Sequence, residues 1–362
     1  MIFINIYNSV KNALGVTQVL VLFVYLFISL LSTKALAVGF PIQIEHRYGV
    51  AEIPKQPQRV VSIGYTSHDF ILALGVKPIA LRRWYGNHPR GVWPWAEEAL
   101  GDAEPVVMWG SINIEQIAAL KPDLIVATMS GLSRDEYDFL SRIAPTLLGP
   151  KGYGGFNTPW QAQTRMLGQA LGREKKAAEI IDDFSQRVAD IRLAHPQWQG
   201  LSAAICWAGG SIVYASFDPR ARLIESLGFK TPAFIDTLVN EESEFYATIS
   251  DELLPELDTD VLLWLDSGDN RKHLRQLLLR PTLNAWQQGR EVYLDASLSA
   301  AFSHASPLSM HHALDQLVPL LEQAADGDVS TSVISMVEAG LLPELSAYKI
   351  KADQLQADSS WF

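Results

Sequence analysis

The sequence predicts an α/β protein of two lobes, each with a parallel-type central sheet, joined by a long helical spine. Three observations predict this fold. An 18-residue pattern occurs twice, at 111–128 and 248–265, and each copy leads from a short helix into an apolar strand. Strand and helix patterns alternate on both sides of the segment 159–195. That segment itself has helical spacing, as one long helix or two in line, so it is expected to connect two α/β units.

The two copies of the pattern read "SINIEQIAALKPDLIVAT" and "TISDELLPELDTDVLLWL". Asn113 and Ser250 occupy equivalent positions, and both are expected to cap a helix because their side chains accept hydrogen bonds from free backbone N–H groups. Glu115 and Glu252 follow in the first helical turn. A carboxylate there stabilises the helix dipole by roughly 0.3–1 kcal/mol, which explains either glutamate alone. The repetition predicts two similar lobes that present equivalent charges.

The remaining elements follow from hydrophobic patterning and turn residues. Pro159 and Pro196 bound the spine, and Gly172 is expected to break or kink it. The first lobe has predicted strands at 59–64, 77–82 and 106–109 and a helix at 68–75; the second has strands at 202–208, 211–216 and 291–295 and helices at 222–229 and 307–324.

These elements divide the chain into five predicted parts. The last part contains a possible helix near 331–342, but the sequence offers it no core. The parts are a signal peptide at 1–37, an N-terminal α/β lobe at 38–158, a connecting helix at 159–196, a C-terminal α/β lobe at 197–325 and a C-terminal extension at 326–362.

The first 37 residues have the pattern of a secretory signal. Lys11 precedes a long apolar run, and "ALA" at 35–37 fits a cleavage site. An uncleaved membrane anchor is the alternative, because the uncharged span from 12 to 33 is long enough to cross a bilayer. No cysteine follows the apolar run, so the sequence predicts no lipid anchor.

Charge and cysteine content exclude several classes of protein. Of 29 lysines and arginines, Lys11 and Lys34 lie in the signal; the remaining 27 face 40 acidic residues, a net charge of −13. Such a chain is a poor partner for nucleic acid or anionic membranes. The single cysteine, Cys206, cannot form an internal disulfide and is expected in a buried strand.

Motifs of common enzymes are absent from the sequence. It contains no G-x-S-x-G, no H-E-x-x-H, no P-loop and no paired cysteines. The glycine-rich run "GYGGF" at 152–156 lacks the spacing of a dinucleotide-binding loop and is interpreted as a connection between lobes. The sequence therefore favours a binding protein over an enzyme.

The order of the motifs resembles the helical-spine (class III) substrate-binding proteins of ABC importers, and most of all the ferric-siderophore binders. The resemblance covers about residues 45–325. It rests on the two repeats and on four further segments, "PQRVVSIGYTSHDFILALGVKPIAL" (57–81), "RRWYGNHPRGVWPWAEEALGDAEP" (82–105), "RLIESLGF" (222–229) and "SPLSMHHALDQLVPLL" (306–321).

This resemblance implies a periplasmic protein that binds a ferric siderophore in a cleft between its lobes and delivers it to an inner-membrane ABC permease. Glu115 and Glu252 match the two glutamates that dock onto arginines of the permease in this family. Exposed carboxylates at the two lobe tips are suited to charge-assisted pairs. The expected protein is a monomer that performs no chemistry and has no cofactor, since iron enters only as the ferric siderophore.

The ligand is expected where the carboxyl ends of the strands of both lobes face each other. Aromatic walls and a few cations suit an organic shell around iron. The residues near those points are Arg82, Arg83, Trp84, Tyr85, Trp109, Phe245, Tyr246, Phe302 and His304, with Arg90 as a further cation. Hydroxamate-binding relatives carry an arginine near the position of Trp109, so citrate, catecholate and mixed chelates stay open.

Three alternatives use the same residues differently. Cobalamin or haem fits the same fold and the same docking glutamates. A bare metal ion requires several histidine or acidic ligands, and His68 and His304 are the pair expected to approach each other across the lobes, although two ligands are few for a closed zinc site. An enzyme on this scaffold requires a nucleophile and a base that the sequence does not reveal.

Overall fold

The computed structural model describes residues 39–210, 212–240 and 245–342. The predicted signal peptide at 1–37 and the end of the predicted extension, 343–362, lie outside the described residues. Among the helices described, none has both the length and the apolar character that crossing a membrane requires.

The N-terminal part contains a hairpin and a five-stranded sheet. β1 (Ile42–His46) and β2 (Gly49–Ile53) pair antiparallel. The sheet has the order β5-β4-β3-β6-β7, and all its strands are parallel. Its strands are β3 (Val60–Ser62), β4 (Ala80–Arg82), β5 (Val106–Met108), β6 (Leu124–Val126) and β7 (Thr146–Leu147); the helices beside them are α1 (Ser67–Ala73), α2 (Pro94–Leu100), α3 (Ile114–Ala119) and α4 (Arg134–Leu140).

Two helices form the spine. α5 (Trp160–Leu171) and α6 (Glu174–Ala194) meet at Gly172, which adopts a left-handed conformation with φ of 64°. Glycine is favoured there because a Cβ is strained at positive φ. The break predicted at Gly172 is therefore present. α5 packs on α1 of the N-terminal sheet, whereas α6 contributes buried residues to the core of the second sheet.

The C-terminal part contains a mixed sheet in the order β10-β9-β8-β11-β12. β8, β11 and β12 are parallel, and β9 and β10 continue the sheet antiparallel. The strands are β8 (Ala203–Trp207), β9 (Ile212–Tyr214), β10 (Tyr246–Thr248), β11 (Val261–Leu265) and β12 (Glu291–Leu294); the helices are α7 (Pro219–Ser226), α8 (Ala233–Thr237), α9 (Arg271–Gln276), α10 (Asn284–Gln287), α11 (Ala296–His304), α12 (Pro307–Ala324) and α13 (Ile334–Glu338), with short 3-10 turns at Pro196–Trp198, Asp251–Leu257 and Arg280–Thr282.

The predicted class, two α/β lobes joined by a helical spine, is confirmed by these sheets and helices. The exact domain boundaries stay predictions. The predicted helix at 222–229 starts earlier, at Pro219, because the Asp218 side chain accepts a hydrogen bond from the Arg220 backbone N–H and caps it.

The two sequence repeats fold differently. In the first, Asn113 caps α3 by accepting a hydrogen bond from the Gln116 backbone N–H at 2.9 Å, as predicted. The second forms the 3-10 turn 251–257, and the Ser250 side chain makes no capping bond, so that prediction was wrong. Pro255 lies inside this turn and has no N–H to donate, which prevents the α-helical hydrogen bond made at the equivalent alanine of α3.

Part of the predicted C-terminal extension has a core after all. Val333, Met336 and Leu341 are buried within the hydrophobic cluster of the second sheet. The Ser335 hydroxyl accepts a hydrogen bond from the backbone N–H of Tyr293 in β12, and the Leu341 carbonyl accepts one from Arg280. The sequence prediction of an extension without a core was therefore wrong for 333–341, because these apolar residues cover β12.

Candidate functional site

A group of aromatic rings lies where the two lobes meet. Trp84 and Tyr85 follow β4 of the N-terminal sheet, and His304 ends α11 of the C-terminal part. The Trp84 and His304 ring centroids are 5.3 Å apart, and those of Tyr85 and His304 are 6.0 Å apart. Trp93 and Trp95 add stacked rings at 5.1 Å, and both also contact His304. The structure thus brings together residues more than 200 positions apart in sequence.

Two arginines border these rings on the N-terminal side. Arg82 donates to the Tyr65 hydroxyl at 2.9 Å and to the Gly110 carbonyl at 3.0 Å. The Arg83 guanidinium lies 4.3 Å from the centroid of the Trp109 ring, a distance typical of a cation–π contact. Trp109 is 60% exposed, so one face of this pair is open to solvent. The predicted cations and this predicted aromatic residue therefore lie side by side.

Arg220 of α7 is the C-terminal counterpart, and sequence reasoning missed it. Its guanidinium donates to both carboxylate oxygens of Asp218 at 2.7 Å, and lies 3.7 Å from the Tyr214 ring centroid. Burial alone would lower the pKa of Arg220, but Asp218 raises it above its usual range, so the group stays charged. The signal in sequence was "DPR" before the predicted helix, an N-cap followed by proline and a cation.

Tyr85 connects the two sides of the junction. Burial raises the pKa of the Tyr85 hydroxyl, while Arg220 and a hydrogen bond to Ser303 act in the opposite direction. The hydroxyl is therefore neutral at physiological pH and can donate a hydrogen bond. Phe245 lies 5.7 Å from the Arg220 guanidinium and 5.2 Å from the Tyr246 ring, so these predicted ligand residues lie on the same side as Arg220.

Two predicted ligand residues are buried instead of lining an open surface. Phe302 is completely buried in the core of the C-terminal part, so its assignment to the ligand surface was wrong. His304 is 1% exposed, and its Nδ1 lies 2.8 Å from the Ala300 carbonyl oxygen. Burial lowers the pKa of His304 to about 4. His304 is therefore a neutral, buried ring that packs against the rings of Trp84 and Tyr85.

Arg90 is also engaged elsewhere. It forms an ion pair with Glu97 and donates to the Gly101 carbonyl at 2.6 Å. These contacts tie the 82–105 segment to the end of α2. Arg82, Arg83 and Arg220 are thus the arginines that lie among the aromatic rings of the junction.

The two glutamates of the repeats are exposed, but their surroundings differ. Glu115 lies in the first turn of α3, and its carboxylate makes no hydrogen bond or ion pair with the residues that the structure describes. Glu252 lies in the 3-10 turn, and a hydrogen bond from Ser250, followed by one from its own backbone N–H, lowers its pKa. Both side chains are exposed and therefore accessible to a partner.

The two histidines that were expected to approach each other lie close together at the lobe junction. His68 and His304 approach to 6.4 Å between ring centroids, and His68 is fully buried. Within the described ranges 39–210, 212–240 and 245–342, no group of three or more His, Cys, Asp or Glu residues is arranged to hold a metal ion. Burial lowers the pKa of His68, so it is a neutral group at the lobe junction.

The fold and the junction define a two-lobed binding protein with a spine of helices. Residues 60–298 match the model of the "Periplasmic binding protein" family, and the chain belongs to this family.

A relative from Bacillus subtilis (strain 168), the "Probable siderophore-binding lipoprotein YfiY", is 30% identical over 63% of this chain and 70% of its own. A periplasmic solute-binding protein from Mycobacterium smegmatis has a similar structure, with a TM-score of 0.70, 34% identity, and coverage of 78% of this chain and 98% of its own. PiaA of Streptococcus pneumoniae in complex with ferrichrome has a TM-score of 0.68, 27% identity, and coverage of 79% and 99%.

Proposed function

We propose that this protein is the substrate-binding component of an ABC importer that captures an iron(III)–siderophore complex between its lobes and delivers it to the permease of the inner membrane. The observation that carries the proposal is the junction of aromatic rings and arginines contributed by both lobes. The names of the relatives support it, since one is a probable siderophore-binding lipoprotein and another was solved with ferrichrome.

The chemistry of the junction suits a compact organic chelate. Trp84 and Tyr85 are half-buried and Trp109 is exposed, so all three offer aromatic surface. Arg82 and Arg83 supply positive charge beside them. Arg220 is already paired with Asp218, so it adds hydrogen-bond donors with little net charge. This combination favours a chelate whose outer oxygen atoms carry negative charge.

Tryptophan fluorescence gives a direct test of ligand class. The protein without residues 1–37 is titrated with ferric citrate, ferric catecholate and ferric hydroxamate chelates, and with cobalamin, haem and zinc as comparators, correcting for ligand absorbance. We expect saturable quenching by one class of ferric chelate and none by the comparators, because Trp84, Trp93 and Trp95 lie at the junction. Binding of zinc or cobalamin alone would contradict the siderophore proposal.

Glu115 and Glu252 are proposed to dock on the permease. Both are exposed, and their positions in the two repeats place one carboxylate on each lobe. Charged pairs at the edge of an interface guide association and orientation. The double variant Glu115→Ala with Glu252→Ala is therefore expected to bind ligand normally and to fail in import.

The remaining properties belong to the same proposal. Iron is cargo that enters inside the chelate, and the protein supplies no cofactor and catalyses no reaction. It works as a monomer in the periplasm, without a lipid anchor. Fractionation of cells tests the location: release of the mature chain with the periplasmic contents supports it, whereas retention in the membrane fraction would indicate an anchor.

A further inference from the structure

A fully buried carboxylate joins the two lobes beside the aromatic rings. Asp69 lies in α1 of the N-terminal part and is completely buried. Its Oδ2 accepts a hydrogen bond from Trp95 Nε1 at 2.8 Å and another from the Ser306 hydroxyl at 2.7 Å. Ser306 is equally buried and belongs to the C-terminal part. Oδ2 therefore has two hydrogen-bond donors, whereas the buried Oδ1 has none among the described residues, so these two bonds fix where the carboxylate lies.

Both hydrogen-bond partners of Asp69 lie next to the aromatic rings of the lobe junction. Trp95 stacks on Trp93 and contacts the His304 ring at 5.2 Å between centroids. Ser306 follows His304 by two residues and caps α12, exchanging hydrogen bonds with Ser309. One carboxylate therefore determines where a ring of the N-terminal lobe and the end of α11 stand relative to each other.

Among the residues that the structure describes, no lysine or arginine pairs with this carboxylate. The nearest titratable neighbour is His68, whose Nε2 lies 3.5 Å from Asp69 Oδ1, and burial lowers the pKa of His68. The first turn of the 18-residue helix α12 faces Asp69 through Ser306. The positive end of that helix dipole favours a negative group there. The attraction between Asp69 and α12 thus acts directly between the lobes.

We propose that Asp69 is a positioning residue that sets the separation of the lobes by holding Trp95 and Ser306 together. The ligand surface is then already assembled before the chelate arrives, which reduces the ordering cost of binding. The effect on chelate affinity rests on the proposed function. The effect on lobe separation does not, so the two can fail independently.

Spin labels measure the separation. Gln116→Cys and Glu256→Cys place labels on exposed positions of the two lobes, and Cys206 is buried and does not compete. We expect a narrow distance distribution in the parent protein. Ser306→Ala should broaden or shift it, and Ser306→Thr, which keeps the hydroxyl, should restore it.

Ser133→Ala is the matched control. Ser133 caps α4 with the same reciprocal arrangement, through Glu136, but this helix belongs to the N-terminal lobe. This variant loses a cap of similar kind at an exposed position, so it should lower thermal stability less than Ser306→Ala and leave the label distance unchanged. Ser306→Ala is expected to weaken binding of the ferric chelate about tenfold, the range for losing one hydrogen bond to a charged group.

Asp69→Asn provides a second variant if Ser306→Ala folds poorly. It keeps one oxygen for both donors but removes the charge, so we expect a smaller broadening than in Ser306→Ala. An unchanged distance distribution in both Asp69→Asn and Ser306→Ala would overturn the proposal. Altered distances together with unchanged chelate affinity would retain the lobe contact and overturn its role in binding.

Discussion

The lobe junction and the lobe tips use charged groups in opposite ways. At the junction, Asp69 is buried and Arg220 is mostly buried, and each is held by several partners from different elements. At the tips, Glu115 and Glu252 are exposed, and the contacts of Glu252 are confined to its own turn. Removing a buried charged group leaves its buried partners without a counter-ion or hydrogen bond, whereas removing an exposed one disturbs the rest of the fold little.

This difference indicates that binding and delivery are separable. If the proposed function holds, the junction determines both stability and ligand affinity, because the same contacts build the core and the proposed binding surface. The tips contribute little to folding and are free to serve a partner. Variants at the two regions should therefore differ in which property they change, and not only in magnitude.

The largest effect is expected for Arg220→Ala. It leaves Asp218 completely buried without its counter-ion, which costs about 3–5 kcal/mol of unfolding free energy. Arg271→Ala is the matched control, since its pair with Asp269 is exposed to solvent and its loss should change the unfolding free energy little. Urea unfolding measures both. Equal, small losses would show that the Arg220 pair is not part of the stabilising junction.

His304 should make stability depend on pH. Its pKa is about 4 in the folded protein against 6.5 for an unperturbed histidine, so the unfolded chain binds the additional proton. Its contribution is fully present above pH 6.5 and is lost as the pH falls towards 4, by roughly 3 kcal/mol. Urea unfolding measures the free energy of unfolding at pH 7.5 and at pH 4.5. Between these two pH values, His304→Phe should lose less unfolding free energy than the parent protein. An identical loss would assign the pH dependence to other groups.

The two repeats should respond differently to removal of their equivalent polar residues. Asn113→Ala removes a capping hydrogen bond and should cost about 1 kcal/mol. Ser250 makes no such bond, so Ser250→Ala should cost less than about 0.5 kcal/mol. It should instead raise the pKa of Glu252, which NMR titration of the carboxylate can follow. Equal losses in both variants would mean that Ser250 also caps in solution.

Local patterns predicted the elements of the fold well. The two apolar runs of the repeats became β6 and β11, and Gly172 ended α5, because these features depend on neighbours in sequence. The 3-10 turn at 251–257 was also visible in principle, since Pro255 stands inside the predicted helix. The same position of the first repeat holds alanine, which is compatible with the helix found there.

Contacts between distant residues were not predictable in the same way. Asp69 and Ser306 are 237 positions apart, and nothing near either residue indicates the other. The sequence pattern placed Trp84 after a strand and Phe302 in a loop before the last helix, yet Phe302 lies in the core and Trp84 is half-buried. Burial depends on how α11 packs, which patterning alone does not specify. Arg220 was missed for the same reason.

The separation of binding from delivery is tested most directly by iron import. Cells lacking this protein are supplied with the parent or with the Glu115→Ala and Glu252→Ala double variant, and uptake of radioactive iron is measured at saturating chelate. We predict an unchanged dissociation constant and at least about tenfold slower uptake, which corresponds to ~1.4 kcal/mol of lost docking. Normal uptake with normal binding would contradict the role of the two glutamates.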